Sequence, residues 1–318
     1  MQKMTHRLTQ ELYRISHENY DNCIVCGYAF QEGDTSHLGY DLNDKPLHVC
    51  DKCSNLLKET VVRYRFSPRS YEIPESNTKL WRYMDFTKYV SLLSSRSLYF
   101  TRADCFEDLF EGAKGGKKNK DRWDLHYINF FRDAIKNPPE GHICTLEESE
   151  IENQAKHLLN QLENSGQIGK KTTYVSCWHE NEYESEAMWR LYSSYLDNAI
   201  AVRTTYNRIY ESMGCDPSIQ IGRIKYIDYN KSYAGINDAF WNKRKSFEHE
   251  REVRALVRDR SCEASGKLMK CNLDILIEEV FVSPKAPEWF IGLVNEINEK
   301  YSLGLKVSKS ELLEEPFF

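Results

Sequence analysis

The sequence predicts an α+β protein, a mixed and mostly antiparallel sheet with flanking helices, preceded by a small zinc ribbon. Three observations carry this reading. Several strand-like runs follow one another directly between residues 199 and 283, which a doubly wound parallel sheet does not allow. Two C-x2-C pairs, Cys23/Cys26 and Cys50/Cys53, stand 23 residues apart. The stretch FSPRSYEIPESNTK, with two prolines and three serines, has the composition of a linker. The expected organisation is therefore an N-terminal helix and ribbon over residues 1–66, a linker over 67–78 and an α+β domain over 79–318.

Each element has its own warrant. Leu8, Leu12, Tyr13 and Ile15 give residues 1–20 an apolar helical stripe, and Leu56, Leu57, Val61 and Val62 suggest another helix after the cysteines. LWRYMD reads as a strand, FTKYVSLLSSRS as a helix with Tyr89, Leu92 and Leu93 inward, and SLYFTRA as an aromatic strand. CFEDLFEGAKGGKKNKDR reads as a glycine–lysine loop. Residues 145–165 carry a capping box (Thr145, Glu148), an apolar face and a terminating Gly166. TTYVSCWH is a strand, and ESEAMWRLYSSYL a helix with Ala187, Met188, Leu191, Tyr192 and Tyr195 on one side. NAIAVRTTY, IQIGRIKYIDY, REVRALVR, EEVFVSP and LKVS are strands, while FWNKRKSF and PEWFIGLVNEINEKY are helices.

Composition narrows the function classes. The chain has 318 residues, is 41% hydrophobic and carries a formal charge of −5, so it can bury a core and is no uniformly basic nucleic-acid binder. No run approaches the roughly 20 apolar residues of a membrane helix, and the mean hydropathy is −0.65. The N-terminus has no apolar segment of the secretory kind. The expectation is a soluble, cytoplasmic protein with no membrane partner. In that compartment the four paired cysteines read as a metal site, since thiols there stay reduced.

Cys23, Cys26, Cys50 and Cys53 would complete a closed tetrahedral shell around structural Zn2+ and leave no open catalytic position. Two disulfides or four free thiols are the competing readings. His37 and His48 have no better ligand spacing than the cysteines.

In the large domain, polar and aromatic groups collect at strand ends. Arg82 and Tyr83 sit at a strand entry, Thr101 ends the next strand, and Ser176, Trp178 and His179 end a third. In HEREVRALV, strand alternation puts Glu250, Glu252 and Arg254 on one face and Val253, Ala255 and Val257 on the other. The apolar set faces the core, which leaves the charged set to solvent or a cleft.

Four segments in order, KLWRYMDFTKYVSLLSSRSLYFTRADCFEDLFEG, YVSCWHENEYESEAMWRLYSS, KRKSFEHEREVRAL and EEVFVSPKAPEWF, resemble the bacterial domain of unknown function 2971 family over about residues 79–315. The ribbon extension is outside that family's core pattern. The resemblance implies a role in bacterial conflict or antiviral defence, with partner proteins of a defence system, and a distant likeness to ADP-ribosyltransferases. On that implication the domain is an NAD-dependent ADP-ribosyltransferase or NAD glycohydrolase. Glu252 or Glu250 would steady the oxocarbenium ion, Arg82 anchor phosphate or ribose, Tyr83 or Trp178 stack on nicotinamide, and Thr101 supply a hydroxyl. The arginine, serine-threonine-serine and glutamate set of toxin-type transferases is absent.

Other chemistries have weaker footing. There is no G-x-G-x-x-G, no phosphate-binding loop of the G-x-x-x-x-G-K type and no G-x-S-x-G. Cys177 with His179 could form a nucleophile pair, and Asp104, Glu107, Asp108 and Glu111 could bind magnesium. The alternative outside enzymology is a non-catalytic zinc-containing module recognising nucleic acid or a protein. Lys114, Lys117, Lys118, Lys120, Lys243, Arg244 and Lys245 would then follow a phosphate backbone.

Overall fold

The computed structural model describes residues 21–44, 46–65, 69–138, 143–192, 196–216, 218–235, 237–314 and 316–318. The helix expected over residues 1–20, the residue Tyr195 and part of the expected linker lie outside them. The described chain falls into two compact units, the first running up to Ser70 and including Asp216–Ser218, the second comprising Tyr71–Cys215 and Ile219–Phe318.

The first unit is a three-stranded antiparallel sheet of β1 (Thr35–Asp41), β2 (Pro46–Cys50) and β3 (Leu57–Arg65), in the order β2-β1-β3. The helix expected around Leu57, Val61 and Val62 is instead this third strand, reached through a 3₁₀ turn, Asp51–Leu56. An apolar run this short does not distinguish helix from strand, and pairing with β1 decides it. Gly39 sits at a register shift in β1, where a Cβ would meet the Glu59 carbonyl oxygen at 1.9 Å, so only glycine fits.

The second unit begins with β4 (Lys79–Asp85), α1 (Phe86–Ser95) and β5 (Ser97–Arg102). Asp85 caps α1 by accepting from Lys88 N–H, and Tyr89, Leu92 and Leu93 are its buried face, as the periodicity predicts. The helices α2 (Lys120–Lys136) and α3 (Glu148–Thr172) follow and pack on each other. Next come β6 (Thr173–Glu180), α4 (Glu186–Tyr192), β7 (Ala199–Thr205), α5 (Tyr206–Ser212), β8 (Gln220–Arg223), β9 (Lys225–Ile227), β10 (Asn242–Arg244), β11 (Glu252–Arg258) and β12 (Gly266–Lys270). The chain closes with α6 (Leu273–Leu276), β13 (Glu279–Val282), α7 (Glu288–Lys300) and β14 (Val307–Lys309).

Nine of these strands form one sheet, antiparallel except where β13 meets β14. The fold class is therefore α+β with a mostly antiparallel sheet. One sheet face carries the main core, where Val253, Ala255 and Val257 join Tyr174, Trp178 and the inner faces of α1, α5, α6 and α7. The opposite face holds two smaller clusters, one around Trp81, Tyr83 and Trp189, the other around Val175, Phe240 and Trp241.

Several local expectations change. Tyr71 to Thr78 is not a free linker: Tyr71 stacks on Trp241 at 4.0 Å, and the Glu72 carbonyl accepts from Arg223 N–H. FWNKRKSF is no α-helix; β10 pairs with β9 in parallel and is flanked by 3₁₀ turns. IQIGRIKYIDY breaks at Ile224 into β8 and β9. Gly166 lies inside α3, which is capped by Glu147 and Glu150 rather than Thr145 and Glu148. A mid-helix glycine costs only about 1 kcal/mol, and packing against α2 offsets it.

Candidate functional site

The sheet is forked. Along one edge of β6 runs β11, paired from Thr173 to His179. The other edge is shared: β5 pairs with Tyr174 and Val175, and β4 with His179 and Glu180. Between them Ser176, Cys177 and Trp178 have no strand partner on that side among the described residues. A cavity of about 590 Å³ opens at this fork. Its walls include Arg82, Tyr83, Thr101, Trp178, Glu250 and Glu252, so the structure brings together the six residues that the NAD expectation names.

One wall is anionic. Lys243 is paired with Glu250 and lies 3.3 Å from Glu252, whose other oxygen accepts from Arg254 Nε at 2.7 Å. Arg254 is completely buried and also pairs with Glu111 at 2.5 Å. Three carboxylates thus face two cations. Burial pushes the Glu252 carboxyl up, but Arg254 and Lys243 outweigh it and hold the group at about 2. The Tyr192 hydroxyl donates to Glu250 at 3.0 Å.

This decides one expectation, between solvent and a cleft, and corrects another. The charged face of REVRALVR is not solvated: Glu252 is 4% exposed, because a cleft wall and its ion pairs cover it. Glu250 precedes β11 rather than sharing it, since Arg251 turns the chain with φ 40°. Lys243, read from sequence as part of a basic run, is a member of this buried network; nothing in its spacing marked it.

The opposite side carries a cation with neutral partners. Arg82 donates to Ser176 Oγ at 2.7 Å and to the Tyr99 carbonyl at 3.2 Å, and its guanidinium lies 5.6 Å from the Trp178 ring centre. Among the described residues no carboxylate pairs with it. His179 also lines the cavity, with Nδ1 donating to the Glu250 carbonyl at 2.6 Å and burial lowering its pKa, so the ring is neutral at pH 7.

The other sequence candidates separate. Burial and Glu252 push the Cys177 thiol well above its ordinary pKa, which leaves it protonated and a poor nucleophile. Asp104, Asp108 and Glu111 each pair with a different arginine, Arg102, Arg244 and Arg254, so no magnesium cluster forms from them. The proposed phosphate track is also largely taken up. Lys114 donates to the Leu162 carbonyl, Lys120 pairs with Asp124 and Glu163, Lys243 is buried, and Arg244 pairs with Asp108.

In the first unit, Cys23, Cys26, Cys50 and Cys53 place their sulfurs within 4.8 Å of one another, and could hold one metal ion. Cys26 and Cys50 Sγ are 3.8 Å apart, close to the ~3.8 Å edge of a tetrahedron with 2.3 Å metal–sulfur bonds. Gly27, at φ 70°, lets the chain turn back so that its N–H donates to the Cys23 carbonyl. The thiols cannot all ionise unaided. Burial raises Cys23, yet the backbone N–H groups of Cys50, Cys26 and Val25 draw it down to about 7, while burial and neighbouring sulfurs push Cys53 up to about 12. Such a set suits a divalent cation that neutralises it. His37 pairs with Asp51 and His48 bonds Ser36, so neither joins the cluster.

No family model matches the chain, and no curated protein matches it. No helix among the described residues is long and apolar enough to cross a membrane.

Proposed function

We propose that the large unit binds NAD in the forked cavity and breaks its N-glycosidic bond, passing ADP-ribose to a target or to water. The observation that carries this is the polarity of one cavity: an arginine without a carboxylate partner among the described residues on one side, and on the other two buried carboxylates, of which Glu252 is held ionised. A dinucleotide presents the matching groups, a diphosphate for Arg82 and a ribose whose anomeric carbon becomes cationic as the bond breaks. An ionised carboxylate beside that carbon stabilises the developing charge most where water is excluded. The four-segment resemblance to the domain of unknown function 2971 family supports the same reading, and with it an effector role in bacterial defence or toxicity.

The test is release of nicotinamide from NAD by purified protein, with and without cell extract. Arg82→Ala is expected to raise KM for NAD about tenfold or more with a smaller change in kcat, because it removes a charge-assisted anchor. No release under any condition would return the field to a non-catalytic recognition module. That module would show binding to nucleic acid or protein, and phosphate contacts would make it weaken steeply with salt.

We infer further that the cysteine cluster holds zinc as a structural ion. Elemental analysis is expected to give about one zinc per chain, and a metal-free preparation made without chelator would count against it. Zinc–thiolate sites supply on the order of 10–16 kcal/mol of apparent folding free energy, so Cys50→Ser should melt the first unit and spare the cavity. Simultaneous loss of both in a thermal melt would show that the two units do not fold separately.

A further inference from the structure

A second cavity, of about 330 Å³, lies in the large unit between α2, α3 and the glycine loop that leads into α2. That is the lower end of the roughly 300–1,000 Å³ of small-molecule sites. Lys114, Lys120 and Lys170 line it against one carboxylate, Glu163. Lys120 holds that carboxylate and also pairs with Asp124, so its own charge is met. Lys114 and Lys170 have no carboxylate partner among the described residues. Lys114 is half-buried, donates to the Leu162 carbonyl at 2.9 Å and lies 5.2 Å from the Trp123 ring centre. A neutral carbonyl and a ring face leave that charge uncancelled, and burial lowers its pKa accordingly.

The wall lacks side chains where these groups meet. Gly166 sits inside α3, one turn before Lys170, and a Cβ there would stand 3.8 Å from the Lys114 ammonium nitrogen. Gly115 and Gly116 line the cavity from the loop, and neither N–H has a partner among the described residues. Trp123, 5% exposed, belongs to the same wall, and its indole N–H has no partner among them either. An occupant rich in acceptor oxygens and carrying negative charge answers all of these donors. We propose that this cavity binds a phosphate group, held by Lys114 and Lys170, with the glycines letting backbone approach its oxygens. A recess of this size takes a phosphorylated small molecule or free phosphate, not a run of nucleotides. The proposal does not rest on the NAD reading.

The test is calorimetry on the full chain with inorganic phosphate, ribose 5-phosphate and ribose. Ribose 5-phosphate is expected to bind about tenfold or more tightly than ribose, the worth of charge-assisted hydrogen bonds to one phosphate. Inorganic phosphate bound as tightly as the ester would make the free ion the occupant, and weaker binding would make it the ester; both sustain the site. Ribose matching ribose 5-phosphate, or no binding of either phosphate, would overturn the proposal. Lys170→Met and Gly166→Asp should each weaken the phosphate probes about tenfold, the second by setting a carboxylate beside Lys114. Helix α3 tolerates that change, since aspartate is no worse than glycine in a helix interior. Arg82→Ala, which alters the forked cavity, should leave phosphate binding unchanged. Undiminished binding in both Lys170→Met and Gly166→Asp would overturn the proposal. Loss in Arg82→Ala alone would place the phosphate in the forked cavity, overturning this site while leaving the NAD reading in place.

Discussion

Arg254→Met is expected to lower the melting temperature of the large unit by roughly 6–20 °C. The side chain is fully buried and holds two carboxylates, Glu111 and Glu252, together with the Phe240 carbonyl. Removing one member of a buried ion network costs about 3–5 kcal/mol, because the groups left behind stay charged and out of water. For a unit of this size each kcal/mol moves the midpoint by about 2–4 °C. Glu111→Gln should cost less, since Arg254 would keep Glu252.

The same network sets a pH dependence. Glu252 is held at about 2 in the folded protein, below the ordinary 4.5. A depressed carboxylate contributes stability that is present above the unfolded value and lost as pH falls from about 4.5 toward 2. Arg254→Met should flatten this acid limb, because its chief cause is gone. An unchanged melt and an unchanged acid limb would mean that Arg254 is not what holds Glu252 ionised.

How much of this was legible follows from the physics of each signal. Alternation in REVRALV assigned the faces of β11, because a strand buried against a core must sort its side chains by period 2. It left open whether the polar face met solvent or a cleft. That depends on Glu111, Lys243 and Glu250, distant in sequence or lying in a 3₁₀ turn that no periodicity marks. The fork is likewise a tertiary fact, for β5 and β4 read as ordinary strands and only their shared use of one edge of β6 opens the cavity. By contrast, α2 carries a legible signal, since Trp123 and Tyr127 stand one turn apart, but the lysines before them have the composition of a loop. The cysteine cluster was the most legible of all, since its ligands come in close sequence pairs.

Glu252→Gln is expected to lower nicotinamide release by about 10²–10³-fold, the usual cost of losing one preorganised electrostatic contact in a water-excluded site. The substitution keeps shape but removes the charge that faces the cavity. It also leaves Arg254 and Lys243 each with one carboxylate fewer, so a loss of stability on the order of 1–3 kcal/mol should accompany it. Activity is therefore to be compared well below the melting transition, with a melt of each variant beside it. Because Glu252 stays ionised down to about pH 2, its own titration should put no acid limb on the wild-type rate between pH 4 and 5. Release undiminished in Glu252→Gln would assign the reacting carboxylate to Glu250 instead. That residue holds the Tyr192 hydroxyl and Lys243, and it is the other carboxylate at the same wall.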